Sequence, residues 1–355
     1  MTKNSQQVRY IIVLDQTHLV LAKYSKIVFM NLYPLKFNPI PKEKIWGGNR
    51  LNSILNKEFD PAEKTGESWE ISGLEGDISV VKNGFLEGND LEELIEVYMG
   101  ELVGDKVYDQ FGIEFPLLIK FIDANENLSV QVHPDNDFAI EKHKAYGKTE
   151  MWYIIEAEKD AKLFVGFNQP MDKNLFLDAI QNGNLTELIN AEKAESDSCY
   201  LIPAGRIHAV GKGVLLAEIQ QTSDINYRIH DWNRSDEQGN ARELHLDLAK
   251  EVLDYNYEKK HKTDFEPKMN ATSELVKCPF FSTNILEFNK PIEKDYFQLD
   301  SFVIYICIDG HCDIQVEEDE SVSLTKGETV LIPASLKNLT LAPKQNTKLI
   351  EVFIQ

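Results

Sequence analysis

Residues 201–219 read LIPAGRIHAVGKGVLLAEI, a stretch in which short apolar runs are separated by glycine and proline. Apolar runs of this length between such turn residues predict short β-strands. The opening LIPA returns 130 residues later, at 331–334, where SLKNLTLAPKQNTKLIEV follows it. A sequence that returns further along the chain indicates two copies of one β module.

A second pair of matching segments supports the repeat. WYIIEAEKDAKLFVGF at 152–167 resembles IYICIDGHCDIQVEE at 304–318, with Tyr153 matched to Tyr305 at an offset of 152 residues. The two offsets differ by 22 residues, about the length of a helical pattern at 171–195. We therefore expect a mainly β chain built from two jelly-roll modules, the first of which carries a helical insertion.

Three segments carry a helical pattern, namely 90–109, 171–195 and 241–260. In the first of them, Asp90 is placed to cap a helix and Glu93 stands at the matching position of a capping box. Short strands and turns dominate the remainder of the chain. The helices are therefore expected as insertions in a β fold.

The segment SVQVHPD at 129–135 alternates polar and apolar residues. In a strand, Gln131 and His133 share one face while the two valines share the other. A half-buried strand commonly turns its polar face to water. Glu150 favours the opposite orientation, because it shares a strand face with Trp152, where a buried carboxylate needs a partner. A metal ion held by Gln131, His133 and Glu150 would explain both patterns.

The repeat provides an internal control for this hypothesis. Under the two offsets, Glu150 corresponds to Phe302 and His208 corresponds to Asn338. The second copy therefore keeps the strand pattern without the candidate ligands. If Glu150 and His208 had a purely structural role, we would expect the second copy to keep them. Because it does not, a metal site in the first copy is favoured.

His208 follows the turn sequence IPAG, a position at which a lone histidine is more often a surface residue. Together with Gln131, His133 and Glu150 it supplies two imidazole nitrogens and two oxygens. This set suits zinc or a similar divalent ion that keeps coordination positions open. Open positions favour a catalytic site over a structural one.

Three other charged residues lie in apolar or patterned strands, and each has a simple structural explanation. The stem of Lys120 would pack while its amine reaches solvent, Glu218 would face solvent, and Arg228 would pair with Asp231. The functional alternative is that they line one binding site, because an acidic protein needs local cations in order to bind an anion.

The composition excludes several classes of protein. The 37 Lys+Arg and 58 Asp+Glu residues give a net charge of -21, so the surface repels nucleic acid and anionic membranes. No run of apolar residues approaches the length of a transmembrane helix. The four cysteines form no CxxC pair, which predicts reduced thiols in a cytoplasmic protein. Residues 1–29 lack a signal-peptide pattern, and the sequence of a compact domain begins at Met30.

Six motifs form a specific combination: IWGG at 45–48, GESWEISG at 66–73, PLLIKFIDANENLSVQVHPD at 116–135, GKTEMWY at 147–153, IPAGRIHAV at 202–210 and LAEIQQTSDINYRIHDWNR at 216–234. Together they resemble the type I mannose-6-phosphate isomerases, most closely the short bacterial form, from residue 30 to residue 355. The resemblance implies tandem cupin domains. Residues 30–260 would form a metal-binding catalytic domain with helical insertions, 261–355 a second cupin domain without metal ligands, and 1–29 an extension outside the family sequence.

The resemblance also implies residue roles. It implies one zinc ion per chain, held by Gln131, His133, Glu150 and His208. It implies an active-site arginine at Arg228 and a substrate pocket lined by Lys120 and Glu218. We expect Arg228 and Glu218 to be catalytic, and Lys120 and Arg228 to bind substrate.

The reaction implied is the reversible aldose–ketose isomerisation of mannose 6-phosphate and fructose 6-phosphate. A proton moves between C1 and C2 through a cis-enediol, which a divalent metal stabilises as a Lewis acid. In longer relatives a lysine follows the QVHP motif, whereas Asp135 and Asn136 stand here. That lysine is a candidate for proton transfer or for binding the phosphate. Its role is therefore absent in this chain or is taken by Lys120 or Arg228. A monomer or a small homo-oligomer is expected.

Two alternative functions remain open from the sequence. His133 and Asp135 form a His-x-Asp pair, which with His208 as distal ligand and Arg228 as clamp is typical of Fe(II)/2-oxoglutarate oxygenases. That interpretation leaves Gln131 and Glu150 without a role. A non-catalytic sugar-binding cupin is the second alternative, because a fold alone does not establish a function.

Overall fold

The structure is a computed structural model that describes residues 31–235, 239–317 and 320–355. The predicted extension at 1–29 lies outside these residues. The strands β1 to β21 are, in chain order, Ile40–Gly48, Thr65–Ile71, Leu117–Ala124, Val130–Val132, Glu150–Ala157, Lys162–Phe167, Ile189–Lys193, Cys199–Ile202, His208–Val210, Val214–Gln221, Tyr227–His230, Lys262–Thr263, Ala271–Lys277, Ser282–Phe288, Ile292–Asp295, Val303–Asp309, His311–Glu317, Glu320–Thr325, Thr329–Ile332, Asn338–Pro343 and Thr347–Phe353. The helices α1 to α7 are Arg50–Leu55, Leu91–Tyr98, Gly100–Val103, Asp105–Phe111, Asn136–His143, Lys173–Asn182 and Leu246–Val252, with 3₁₀ turns at Gly84–Leu86 and Leu185–Glu187.

The strands form two barrels with the same internal order. The first barrel consists of the sheets β1-β2-β3-β10-β5-β8-β12 and β11-β4-β9-β6-β7, and the second of β13-β14-β21-β16-β19 and β15-β20-β17-β18. The series β2-β3-β10-β5-β8 matches β13-β14-β21-β16-β19, and β4-β9-β6-β7 matches β15-β20-β17-β18. The predicted internal repeat and the mainly β, tandem cupin fold are therefore confirmed.

Each barrel has an apolar interior between its two sheets, and the larger sheets share a third core. Trp152 and Leu163 belong to the interior of the first barrel, and Tyr305 and Ile314 to that of the second. The opposite faces of β5 and β16 join one further cluster, in which Tyr153 is a member. The central strands are consequently buried on both faces, as strands inside layered folds are.

The strand register corrects the predicted equivalences by one residue. Glu150 pairs with Ile202, and Val303 pairs with Ile332, so Val303 and not Phe302 is the counterpart of Glu150. Phe302 lies in the core shared by the two barrels. The second equivalence shifts in the same way: Asn338 is exposed, and Leu339 faces the interior of the second barrel as His208 faces that of the first. A one-residue slip matters because it moves a side chain to the opposite face.

The helical predictions hold in part. The capping box of Asp90 and Glu93 is present at the start of α2. The pattern at 171–195 forms α6 but ends in strand β7, which pairs with β6. Of the pattern at 241–260, only Leu246–Val252 is helical. No helix among the described residues is long and apolar enough to cross a membrane.

Candidate metal centre and active site

Three buried residues converge inside the first barrel. Potential ligand atoms of His133, Glu150 and His208 all lie within 4.8 Å of one another. His133 Nε2 is 3.3 Å from Glu150 Oε2, and His208 Nε2 is 3.5 Å from Glu150 Oε1. Their side chains come from three segments, at the end of β4 and the starts of β5 and β9. The barrel thus brings together three of the four residues proposed as ligands.

Backbone carbonyls orient both imidazoles. His133 Nδ1 donates to the Ile225 carbonyl over 3.0 Å, and His208 Nδ1 donates to the Arg206 carbonyl over 2.8 Å. A carbonyl only accepts, so each Nδ1 carries the ring proton and each Nε2 presents its lone pair to the centre. This arrangement is the one that orients histidines for metal binding.

The centre contains polar atoms that no protein group satisfies. Glu150 Oε1 and His208 Nε2 are buried without a hydrogen-bond partner. Unpaired buried polar atoms are costly, and a divalent cation between them would satisfy both. The residues therefore fit a metal ion by donor type, burial and convergence.

The fourth predicted ligand, Gln131, lies beside this cluster. It pairs with His208 across β4 and β9. Paired residues of adjacent strands point to the same face of a sheet, so Gln131 faces the barrel interior with His208. The neighbouring Val130 and Val132 pack into the core on the opposite face.

Lys148 is a residue of the site that the sequence analysis missed. Its Nζ contacts Glu150 Oε2 and lies 3.1 Å from His133 Nε2, and the residue is only 2% exposed. Its spacing of two residues from Glu150 was a usable signal, because residues i and i+2 of an extended chain share a face. In longer relatives a lysine follows the QVHP motif, and Lys120 and Arg228 are two candidates for its role here. Lys148, buried beside the predicted ligands, is a third.

Burial and charge shift the proton affinities of the cluster. Burial, followed by the Lys148 ammonium, lowers the pKa of His133 to about 3. Burial also lowers the pKa of His208. Although burial opposes its ionisation, the Lys148 ammonium holds the pKa of Glu150 well below its usual value. The cluster thus contains neutral imidazoles and an ionised carboxylate, which are the forms that bind metals.

Glu218 lies on β10, the strand next to that of Glu150, and Lys120 pairs with Glu218 from β3 on the other side. Lys120 Nζ is 3.2 Å from Glu218 Oε1 and donates to Gln220 Oε1 over 2.7 Å. Trp152 Nε1 donates to the other Glu218 oxygen over 3.0 Å. Neither charged group reaches solvent, as each residue is under 7% exposed. Burial, followed by the charge of Glu150, raises the pKa of Glu218.

Arg228 is brought to the same wall by strand β11. It pairs with Gln131, so its side chain is on the sheet face that carries Gln131 and His208. Arg228 Nε is buried without a partner. Asp231, which the sequence offered as a partner of Arg228, forms ion pairs with Arg234 and Arg242 instead.

The geometry at Asp135 argues against the oxygenase alternative. Its side chain accepts from the Phe138 backbone N–H over 2.9 Å and caps helix α5. This carboxylate is therefore engaged in a helix cap, whereas Glu150 occupies the centre with the two histidines.

Comparisons with known proteins identify the family. Residues 35–163 match the family model described as phosphomannose isomerase type I, catalytic domain, and residues 271–354 match mannose-6-phosphate isomerase, cupin domain. A mannose-6-phosphate isomerase of Bacillus subtilis, ManA, is 35% identical over 88% of this chain and 96% of its own length. One of Streptococcus mutans is 34% identical over 86% of this chain and 94% of its own.

The solved structures give the same result. The crystal structure of a mannose 6-phosphate isomerase from Bacillus subtilis superposes with a TM-score of 0.80 and 32% identity, over 90% of this chain and 99% of that one. A putative mannosephosphate isomerase from Archaeoglobus fulgidus, with 20% identity and a TM-score of 0.73 over 92% of this chain and all of its own, shares the fold. The chain belongs to the type I phosphomannose isomerase family.

Proposed function

We propose that this chain catalyses the reversible isomerisation of mannose 6-phosphate and fructose 6-phosphate. The observation that carries the proposal is the buried centre of His133, Glu150 and His208, in which a cation would satisfy the unpaired Glu150 Oε1 and His208 Nε2. Membership of the isomerase family supplies the substrate, a phosphorylated hexose. The reaction moves a proton between C1 and C2 through a cis-enediol and needs no redox cofactor.

The resident metal is proposed to be zinc. Gln131, His133, Glu150 and His208 would hold it through two imidazole nitrogens and two oxygens, a donor set that zinc accepts. Bound there, the ion supplies Lewis acidity that polarises the sugar carbonyl and offsets the charge of the enediolate.

Glu218 is our candidate for the proton transfer between C1 and C2. Its carboxylate is buried and fixed by Trp152 Nε1 and by Lys120. Because burial and Glu150 raise its pKa, Glu218 is a stronger base than an exposed carboxylate, which favours proton abstraction. The hydrogen bonds hold the carboxylate in one orientation, so the same oxygen can return the proton to the neighbouring carbon.

Arg228 and Lys120 are proposed to bind the substrate. Arg228 carries an unpaired buried Nε–H on the face shared with Gln131, and we assign it to the negative charge that develops on the enediolate. Lys120, fixed by Glu218 and Gln220, places a second cation beside the sugar. Lys148 holds the Glu150 carboxylate ionised when substrate enters.

A coupled assay tests the proposal directly. Conversion of mannose 6-phosphate to fructose 6-phosphate is measured on the purified protein, after treatment with a chelator, and after zinc is returned. We expect activity that the chelator removes and zinc restores. Oxygen uptake that depends on iron and 2-oxoglutarate, or sugar binding without turnover, would identify one of the two alternatives instead.

The remaining assignments follow from this activity and from the chain itself. We propose a catalytic cupin domain at 30–260 and a second cupin domain at 261–355, with 1–29 as an extension. Sugar phosphates are cytoplasmic metabolites, and the four free cysteines suit that compartment. A monomer or small homo-oligomer stays our prediction.

A further inference from the structure

Arg228 lies on a strand that has a neighbour on one side only. Strand β11 is the edge of its five-stranded sheet and pairs with β4. An edge strand leaves backbone N–H and C=O groups unpaired, and its position is then less fixed than that of a central strand. The residue proposed to meet the enediolate therefore needs support on its open side.

The segment Glu243–His245 supplies that support with three hydrogen bonds. The Arg228 backbone N–H donates to His245 Nδ1 over 3.0 Å, and the His245 backbone N–H donates to the Arg228 carbonyl over 2.7 Å. Arg228 Nη1 donates to the Glu243 carbonyl over 2.8 Å. His245 thus pairs with both backbone groups of Arg228, and its ring nitrogen stands where a neighbouring strand would place a carbonyl.

His245 is itself anchored by the helix that follows it. It is the N-cap residue of α7, and its carbonyl accepts from the Ala249 N–H over 2.9 Å. Ala249 is fully buried in the same apolar cluster as Tyr227 and Ile229, the neighbours of Arg228 in β11. Helix and strand therefore form one packed unit in which His245 fixes the distance between α7 and Arg228.

We propose that His245 is a positioning residue for the isomerisation, acting by holding the backbone and guanidinium of Arg228 in place. This inference rests on the role of Arg228 in the proposed function. Reaction rates depend steeply on such placement, since a misplacement of about 1 Å can cost up to ~10²-fold. The ring must accept at Nδ1, so the requirement is for an acceptor at this position and not for a histidine as such.

Three substitutions separate the acceptor from the ring. His245→Phe keeps a ring but has no acceptor, His245→Asn keeps an oxygen bonded to Cγ as Nδ1 is, and His245→Gln places its oxygen one bond farther out. We expect Phe and Gln to lower kcat for mannose 6-phosphate by about tenfold, with KM within about twofold and metal content unchanged. Asn is expected to retain most of the activity. His311→Phe, on the second barrel, is the control and should change nothing.

The same substitution in an Arg228→Ala background shows whether His245 acts through Arg228. We expect His245→Phe to have no further effect there, because the residue it positions is gone. An equal loss in both backgrounds, or an unchanged kcat in the single Phe and Gln variants, would overturn the inference. If His245→Phe does not fold, a comparison of kcat between the His245→Asn and His245→Gln variants tests the same requirement for an acceptor. A full-activity Arg228→Ala single variant would instead contradict the role of Arg228, and with it any positioning of that residue.

Discussion

The two barrels place different side chains at equivalent positions. Pairing of β4 with β9 and of β15 with β20 matches Gln131 and His208 with Lys294 and Leu339. The residue after each first strand is His133 in one barrel and Tyr296 in the other. The remaining counterparts are Glu150 with Val303, Trp152 with Tyr305 and Glu218 with Glu351.

In the second barrel the protein supplies its own cation. Lys294 Nζ is 2.6 Å from Glu351 Oε1, and the same oxygen accepts from the Tyr296 hydroxyl over 2.5 Å and from Tyr305 over 3.2 Å. Asn284 donates to the second oxygen over 2.7 Å. In contrast with Glu150 and His208, this cluster is satisfied within the chain.

The comparison teaches that the fold alone does not determine the chemistry of its interior. Both barrels bury a paired glutamate on the same central strand, Glu218 in the first and Glu351 in the second. Among the described residues of the two interiors, it is the first barrel that also holds neutral imidazoles facing a carboxylate oxygen without a partner, Glu150 Oε1. In the second, a lysine and two tyrosines close the site. We assign metal binding and catalysis to the first barrel, which contains the buried polar atoms without a partner.

The largest difference in kcat is expected between alanine substitutions at the equivalent positions His208 and Leu339. His208→Ala should lower kcat by more than the roughly 10²–10³ that one lost transition-state donor costs, because the metal is lost as well. Leu339→Ala should keep its activity while unfolding more easily by about 2–4 kcal/mol, the cost of a cavity in a core. Activity, bound metal and urea unfolding are measured on both, and a fully active His208→Ala would break the comparison.

Arg228→Ala should have the next largest effect on the rate. If Arg228 stabilises charge that develops only in the enediolate, kcat and kcat/KM fall together by about 10²–10³, and KM and zinc content stay unchanged. Arg228→Lys keeps the charge but loses the planar fork, so partial activity is expected. Steady-state kinetics decide the role, and a defect confined to KM would show that Arg228 binds the ground state instead.

Lys294→Met tests whether the second barrel is held by its internal cation. The change leaves the Glu351 carboxylate buried and unpaired, so we expect a loss of about 3–5 kcal/mol in unfolding free energy. Adding Glu351→Gln should recover part of this loss because the unpaired charge is then removed. The kcat of both variants is expected to match that of the unchanged protein. A substantially lower kcat at full folding would show that the second barrel takes part in catalysis.

The smallest effect is expected on removing residues 1–29. The match to the catalytic family model begins at residue 35, so the chain from Met30 should contain both barrels. We predict an unchanged melting temperature and unchanged kinetics for the truncated protein. A clear fall in either would assign these residues to the fold.

The two-barrel fold is predictable because the sequence features that indicate it recur along the chain. The LIPA repeat, the short strands and the turn residues recur in both halves, and the capping box of Asp90 and Glu93 is a local signal. The register of β5 against β16 was wrong by one residue because both faces of these strands are buried and apolar. Alternation then no longer distinguishes the two faces.

The site was predictable only as far as its residues carry local signals. Gln131 and His133 stand in an alternating strand, and Glu150 is a carboxylate on an apolar face. The contact of Lys120 with Glu218 joins residues 98 positions apart, and a sequence without the fold gives no distance between them. Lys148 also carries a local signal, because its spacing of two residues from Glu150 places both side chains on one face of an extended chain. The His245 support of Arg228 depends on an edge strand, which only the sheet order reveals.

Metal content, measured together with the position of the metal, tests the difference between the barrels most directly. Elemental analysis of the purified protein should give one zinc ion per chain, and anomalous scattering should place it between His133, Glu150 and His208. The second barrel should show no metal beside Lys294 and Glu351. Metal bound in the second barrel, or an active enzyme with no metal in the first, would contradict the account.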